Sequence, residues 1–157
     1  MKKQSGFTLI ELLAVIFIIA ILTGIGLVSF LGAQKQARDT TRRSDLGQYR
    51  NALENYAANN NGLYIEKQSV SNASQLCTDS INIQEYITEC PVDVKYTPAV
   101  GEIPANWYYR YVSNADKTAY LLYAQQETGG WWYICSNGRN GKDSNVEPPT
   151  LSGVCGT

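Results

Sequence analysis

Among the residues whose chemistry can be read from type and spacing, Glu11 stands apart. It is the only ionisable side chain in the 25-residue run from Leu9 to Ala33, LIELLAVIFIIAILTGIGLVSFLGA. An acid deep in a bilayer costs on the order of 3 kcal/mol on insertion scales, so it needs a compensating job. The other reactive groups are sparse. Histidine is absent, and the four cysteines Cys77, Cys90, Cys135 and Cys155 form no Cys-x-x-Cys pair. His-based acid–base catalysis, Ser–His and Cys–His triads and the usual zinc ligand sets are thereby excluded. Asp143, Asn145 and Glu147 place oxygen ligands at alternate positions. They meet no Ca²⁺-loop template and read as ordinary turn polarity. No catalytic residue, cofactor or metal site is expected, and the chain reads as a structural protein rather than an enzyme.

Charge is small overall but unevenly placed. Residues 1–50 carry seven basic and three acidic side chains, and 51–157 carry six and eleven. A sequence pI near 5.4 gives no general reason to bind nucleic acid. Any such contact would be local, and Lys35, Arg38, Arg42 and Arg43 are the candidates for contacts with DNA or with the acidic parts of neighbouring subunits. At 157 residues with 44% hydrophobic content, the chain suits one compact domain plus one extra element.

That extra element is the apolar run. As a helix it spans roughly 37 Å, more than the ~30 Å hydrocarbon core. A cleaved secretory signal needs only about 7–15 apolar residues and a small-x-small site, which this segment lacks. A plain anchor fits the length but leaves Glu11 without a purpose. Before the run stand the basic leader Lys2-Lys3-Gln4-Ser5-Gly6 and the block Phe7-Thr8-Leu9-Ile10-Glu11. Gly6-Phe7-Thr8-Leu9-Ile10-Glu11 resembles the class III leader and methylation motif of type IV pilins and secretion-system pseudopilins, most of all a type IV major pilin.

The resemblance implies cleavage between Gly6 and Phe7 by a prepilin peptidase, N-methylation of Phe7, and retention of the apolar helix. A glycine before the scissile bond leaves the extended backbone unobstructed. Glu11 then pairs with the new Phe7 amine of a neighbouring subunit, which fixes axial register more than it adds stability. The implied fold is α+β and pilin-like: a long N-terminal helix packed on an antiparallel sheet of three to four strands, with a C-terminal disulfide-closed loop. The implied partners are further copies of the chain in a helical polymer, the cytoplasmic membrane before assembly, the peptidase and the assembly machinery. The implied destination is an extracellular filament serving adhesion, twitching motility or DNA uptake. A type II secretion pseudopilin and a DNA-binding minor pilin are the alternatives.

Element by element, residues 1–6 read as leader, 7–33 as membrane or filament-core helix and 34–157 as a soluble head. Leu46, Tyr49, Leu53, Tyr56 and Ala57 form an amphipathic stripe, so helix is expected to about Ala58, some 78 Å at 1.5 Å per residue. Lys35, Arg38 and Arg42 share that azimuth, so the stripe turns from basic to apolar near Asp45 and the covering sheet is expected to begin there. Gly24 and Gly26 each cost roughly 1 kcal/mol in a helix interior and mark the expected soft spot. Residues 59–106 read as a connection with a short helix around 82–87. WYYRYV, TAYLLYAQ and GWWYICS, within 107–136, read as a three-stranded meander, and 137–157 as a loop.

Four cysteines permit three pairings. The sequential one closes two short loops, the second enclosing the tail as in many type IV pilins, and is worth on the order of 3 kcal/mol for a loop of about 20 residues. Nine of the seventeen aromatics lie between Trp107 and Tyr133. Core packing is the main expectation for them, and an exposed platform at Trp131 or Trp132 is the alternative.

Overall fold

The computed structural model describes residues 7–80, 82–97 and 107–156, the side chains of 25–29 excepted. Gly6, the rest of the leader, Pro98 and Pro104 lie outside the described residues. The chain divides into two compact units, 1–37 and 38–157. Helix α1, Leu9–Asn59, contributes to both and continues unbroken past Gly24 and Gly26. The division falls four residues beyond the boundary read from hydropathy, because Arg38 and Asp39 are already bonded into the head.

The head is a five-stranded antiparallel sheet in sequence order: β1 Ser71–Asn72, β2 Arg110–Ser113, β3 Tyr120–Gln125, β4 Trp131–Cys135 and β5 Asn140–Asp143. The meander β2–β4 sits where alternation and aromatic content place it, with Tyr111 opposite Leu122 and Tyr123 opposite Tyr133. The two outer strands exceed the expected count. Ser71-Asn72 and Asn140-Gly141-Lys142-Asp143 have little β propensity and are strands through pairing with β2 and β4. Gly130 is required where β4 starts: its φ is +77°, and a Cβ there would lie 2.3 Å from the Asp143 carbonyl oxygen.

One sheet face packs on α1. Leu46, Tyr49, Ala52 and Leu53 meet Tyr109, Tyr111, Tyr120, Leu122 and Ile134 in one buried cluster. Burying so many tyrosines requires acceptors for their hydroxyls. Tyr49 donates to the Pro91 carbonyl at 2.8 Å, Tyr111 to the Ile65 carbonyl at 2.7 Å, and Tyr120 and Tyr64 to the two Glu54 oxygens at 2.9 and 3.0 Å.

The opposite face is covered too. Leu121, Tyr123, Trp131 and Cys135 pack with Cys155, Leu151 and Val154 of the tail. The tail is therefore more than a loop: after β5 it makes one π-helical turn, Leu151–Cys155, with Thr150 at its start. The Cys135–Cys155 disulfide holds it there, its Cα atoms 5.6 Å apart, and Cys77–Cys90 closes the other loop. Sheet residues on both sides are thus buried, and Trp131 is core rather than platform at 7% exposure. The short helix expected at 82–87 is replaced by turns. A 3₁₀ turn occurs earlier, Ala73–Cys77, capped by the Asn72 side chain.

Candidate functional site

The first site is the beginning of α1. Thr8 sits just outside the helix, and its Oγ1 accepts from the Glu11 N–H at 3.3 Å. Glu11 Oε2 in turn accepts from the Thr8 N–H and from Thr8 Oγ1, both at 2.8 Å. This reciprocal arrangement is a capping box, which satisfies helix-end donors that have no partner within the helix. The Thr-x-x-Glu pattern before an apolar run is its sequence signature. It gives Glu11 a local role beside the inter-subunit pairing that the resemblance implies.

Around this carboxylate the helix presents apolar side chains outward. Phe7 is 90% exposed, and Leu9, Ile10, Leu13, Ile16, Phe17 and Leu22 are exposed as well. Such a continuous apolar surface requires a cover. Among the described residues no helix is long and apolar enough to cross a membrane; residues 25–29, within the run read as a span, are those whose side chains are not described. Near Gly24 a second irregularity appears. Thr23 Oγ1 donates back to the Ile19 carbonyl at 2.7 Å, a contact that slightly destabilises and often bends helices. A Cβ on Gly24 would meet nothing within 4 Å.

The basic stripe is placed differently from the sequence expectation. Arg42 is 1% exposed and cannot reach DNA or a neighbour. Its Nε and Nη2 donate to Asp93, its Nη1 to Asp39 at 2.7 Å and its Nη2 also to Glu127 at 3.1 Å, while the Trp107 ring lies 4.6 Å from its guanidinium. Arg38 makes a bidentate pair with Glu127 at 2.6 and 2.7 Å, and Lys95 binds the same carboxylate at 2.8 Å. Arg43, though exposed, contacts Gln126 at 3.3 Å and stacks on Trp132 at 4.4 Å. Of the four, Lys35 and Arg43 have no ion pair among the described residues, and Lys35 has no side-chain hydrogen bond or ring contact either.

The cover therefore begins near Arg38, two helical turns before Asp45, because the β3–β4 turn reaches back over the helix. Asp39 fixes that turn by accepting from the Glu127 and Thr128 N–H groups at 2.8 and 3.0 Å and from Thr128 Oγ1 at 2.7 Å. Three cations and three carboxylates balance here.

Their titration follows. The Arg38 hydrogen bonds, followed by those of Lys95 and Arg42, hold the Glu127 carboxyl far below the ordinary range. Burial opposes charge on Asp39, but the Glu127 and Thr128 donors outweigh it and lower its pKa. Asp45 behaves in the opposite way: burial raises its pKa, and the Tyr109 hydroxyl at 2.5 Å offsets that only in part.

Among the described residues no group of His, Cys, Asp and Glu side chains is arranged to hold a metal ion. Asp143 instead accepts from the Asn145 N–H at 3.0 Å within its own turn.

Residues 1–27 match the family model described as the prokaryotic N-terminal methylation motif. The chain is 44% identical over 63 residues to prepilin peptidase-dependent protein D of Escherichia coli, covering 40% of this chain and 43% of that protein. It is 44% identical over 61 residues to the type IV wide pilus major component PilA4 of Thermus thermophilus, 39% of this chain and 47% of that protein. It is 37% identical over 60 residues to type II secretion system core protein G of Aeromonas hydrophila, 38% and 42% of the two chains. Each match spans less than half the length of the curated relative concerned. No solved structure matches. With its matched methylation motif, long N-terminal helix and antiparallel head, the chain is similar to type IV pilins and secretion pseudopilins.

Proposed function

We propose that the protein is a subunit that polymerises into a type IV pilus filament. In this reading prepilin peptidase cuts between Gly6 and Phe7, Phe7 is N-methylated, and residues 7–33 hold the subunit in the cytoplasmic membrane until the assembly machinery extracts it. The same helix then becomes filament core, with the head as the outer surface. The observation that carries the proposal is an outward apolar helix surface interrupted by the single carboxylate of Glu11. Its apolar cover is lipid first and other copies afterwards, and the acid finds its partner in a neighbour's Phe7 amine. Gly24 and Gly26, beside the back-bonded Thr23, supply the weak stretch at which the helix yields during extraction.

Both a pilus component and a secretion core protein occur among the similar proteins. The Cys135–Cys155 closure of the tail favours the pilus, with adhesion, twitching motility or DNA uptake as functions of the fibre. Intact-mass measurement of sheared surface filaments tests the proposal. The filament band should be this chain beginning at a methylated Phe7, and Gly6→Val should accumulate uncut precursor. Filaments whose subunit retains Met1 would refute it.

A further inference from the structure

Two adjoining clefts run along α1 where the 86–92 segment lies beside it. One, of about 400 Å³, is lined by Asp45, Gln48, Glu89, Cys90, Pro91 and Val92. The other, of about 420 Å³, shares Gln48 and Glu89 and continues past Asn51, Tyr86 and Ile87. Together they form one groove with an apolar wall and an acidic end. Val92, on its lining, is 52% exposed, because the chain there turns Asp93 inward to Arg42 and Val92 outward.

The acids are under-used. Asp45 is nine-tenths buried, yet its Oδ1 receives only a 3.4 Å contact from Gln48, while Oδ2 takes the Tyr109 hydroxyl. Glu89 is exposed and has no ion pair among the described residues. The complementary charge lies in the other unit of the chain. Lys35 is exposed, and it has no ion pair or side-chain hydrogen bond among the described residues. A lysine suits this seat, since its apolar stem can lie along Pro91 and Val92 while its ammonium reaches the two carboxylates.

We propose that the groove between α1 and residues 86–92 is the seat for Lys35 of a second copy of this chain, a head-to-helix contact within the filament. The proposal rests on the polymerisation reading and adds to it a place on the head. Opposite charges at such a contact select the docking register, and a cation beside Asp45 adds a charged partner to a buried carboxylate that holds only neutral donors, Tyr109 and a long contact from Gln48.

Charge exchange tests the seat in the full chain. Lys35→Glu should lower the yield of sheared filaments about tenfold, the scale of one lost charge pair in an interface, at unchanged membrane levels. Lys35→Gln should lower it less, and Lys35→Arg should leave it unaltered. Glu89→Lys in the Lys35→Glu background should restore most of the loss. Lys35 lies outside the head unit, so misfolding of the head does not explain a loss. In filaments carrying both Lys35→Cys and Glu89→Cys, a thiol oxidant should join neighbouring subunits into covalent ladders that neither single variant gives. Wild-type filament numbers from Lys35→Glu would overturn the seat, as would filaments of the double-cysteine chain that yield no ladder. Absence of filaments from the unaltered chain would instead overturn polymerisation itself.

Discussion

The helix up to Ala37 and the head after it handle apolar surface and charge in opposite ways. In the head, stripe and sheet close on each other, and even Arg42, at the centre of the interface, has three carboxylates around it. In the helix the described apolar side chains face outward, and among the described residues Glu11 bonds only Thr8. Among the described residues the apolar surface of the head is covered within the chain, whereas that of the helix is exposed. Stability and assembly should therefore be separable by mutation.

The largest effect should come from Glu11→Leu. It improves the helix as a membrane span by on the order of 3 kcal/mol but removes the partner proposed for a neighbour's Phe7 amine. Membrane levels, cleavage and head unfolding should be normal, with few or no filaments by electron microscopy. Arg42→Met should show the reverse, destabilising the head by about 3–5 kcal/mol because the buried Asp39 and Asp93 lose their cation. Thermal unfolding in detergent would register that. Cys135→Ser with Cys155→Ser should cost on the order of 3 kcal/mol in the chain-entropy model and open the second sheet face to proteolysis between 144 and 156.

Acidity sharpens the comparison within the head. Glu127 and Asp39 are held below their ordinary values of 4.5 and 3.8. Their stabilising contribution is complete above those values and is lost as the pH falls through the lowered ones. Asp45, raised above its ordinary 3.8, costs stability at neutral pH and is relieved when protonated. Asp39→Asn should thus lower the neutral-pH melting point, by about 1–3 kcal/mol in stability, while Asp45→Asn leaves it level or slightly higher. The smallest effect is local: Thr8→Ala removes half of the capping box, costing about 1 kcal/mol at the first helical turn, visible as faster amide exchange at Leu9–Glu11.

The parts legible in the sequence were those governed by periodicity. Leu46, Tyr49 and Leu53 repeat at helical spacing, and strands β2–β4 are marked by alternating aromatics, so both appear where read. β1 and β5 were hidden because Ser71-Asn72 and Asn140-Gly141 are turn-like residues made into strand by their neighbours. Arg42 misled for a different reason. A charged residue in line with a core stripe reads as solvated unless its counter-charges are known, and Asp93 and Glu127 lie 51 and 85 positions away. A local hint existed in Asp39, Arg42 and Asp45, spaced three apart on the buried face. The capping box was open to reading too, but the methylation motif claimed the same glutamate.

The Arg42 cluster also constrains how the head can diverge over evolutionary time. Asp39, Asp93 and Glu127 come from the helix, the segment after Cys90 and the β3–β4 turn, and the arginine neutralises all three while Arg38 and Lys95 share only Glu127. A lineage that loses one member inherits pressure to restore it or to replace the whole set with apolar residues. The four positions should therefore be gained and lost as a block, which makes them a fingerprint for distant head homologues whose remaining sequence has drifted beyond detection.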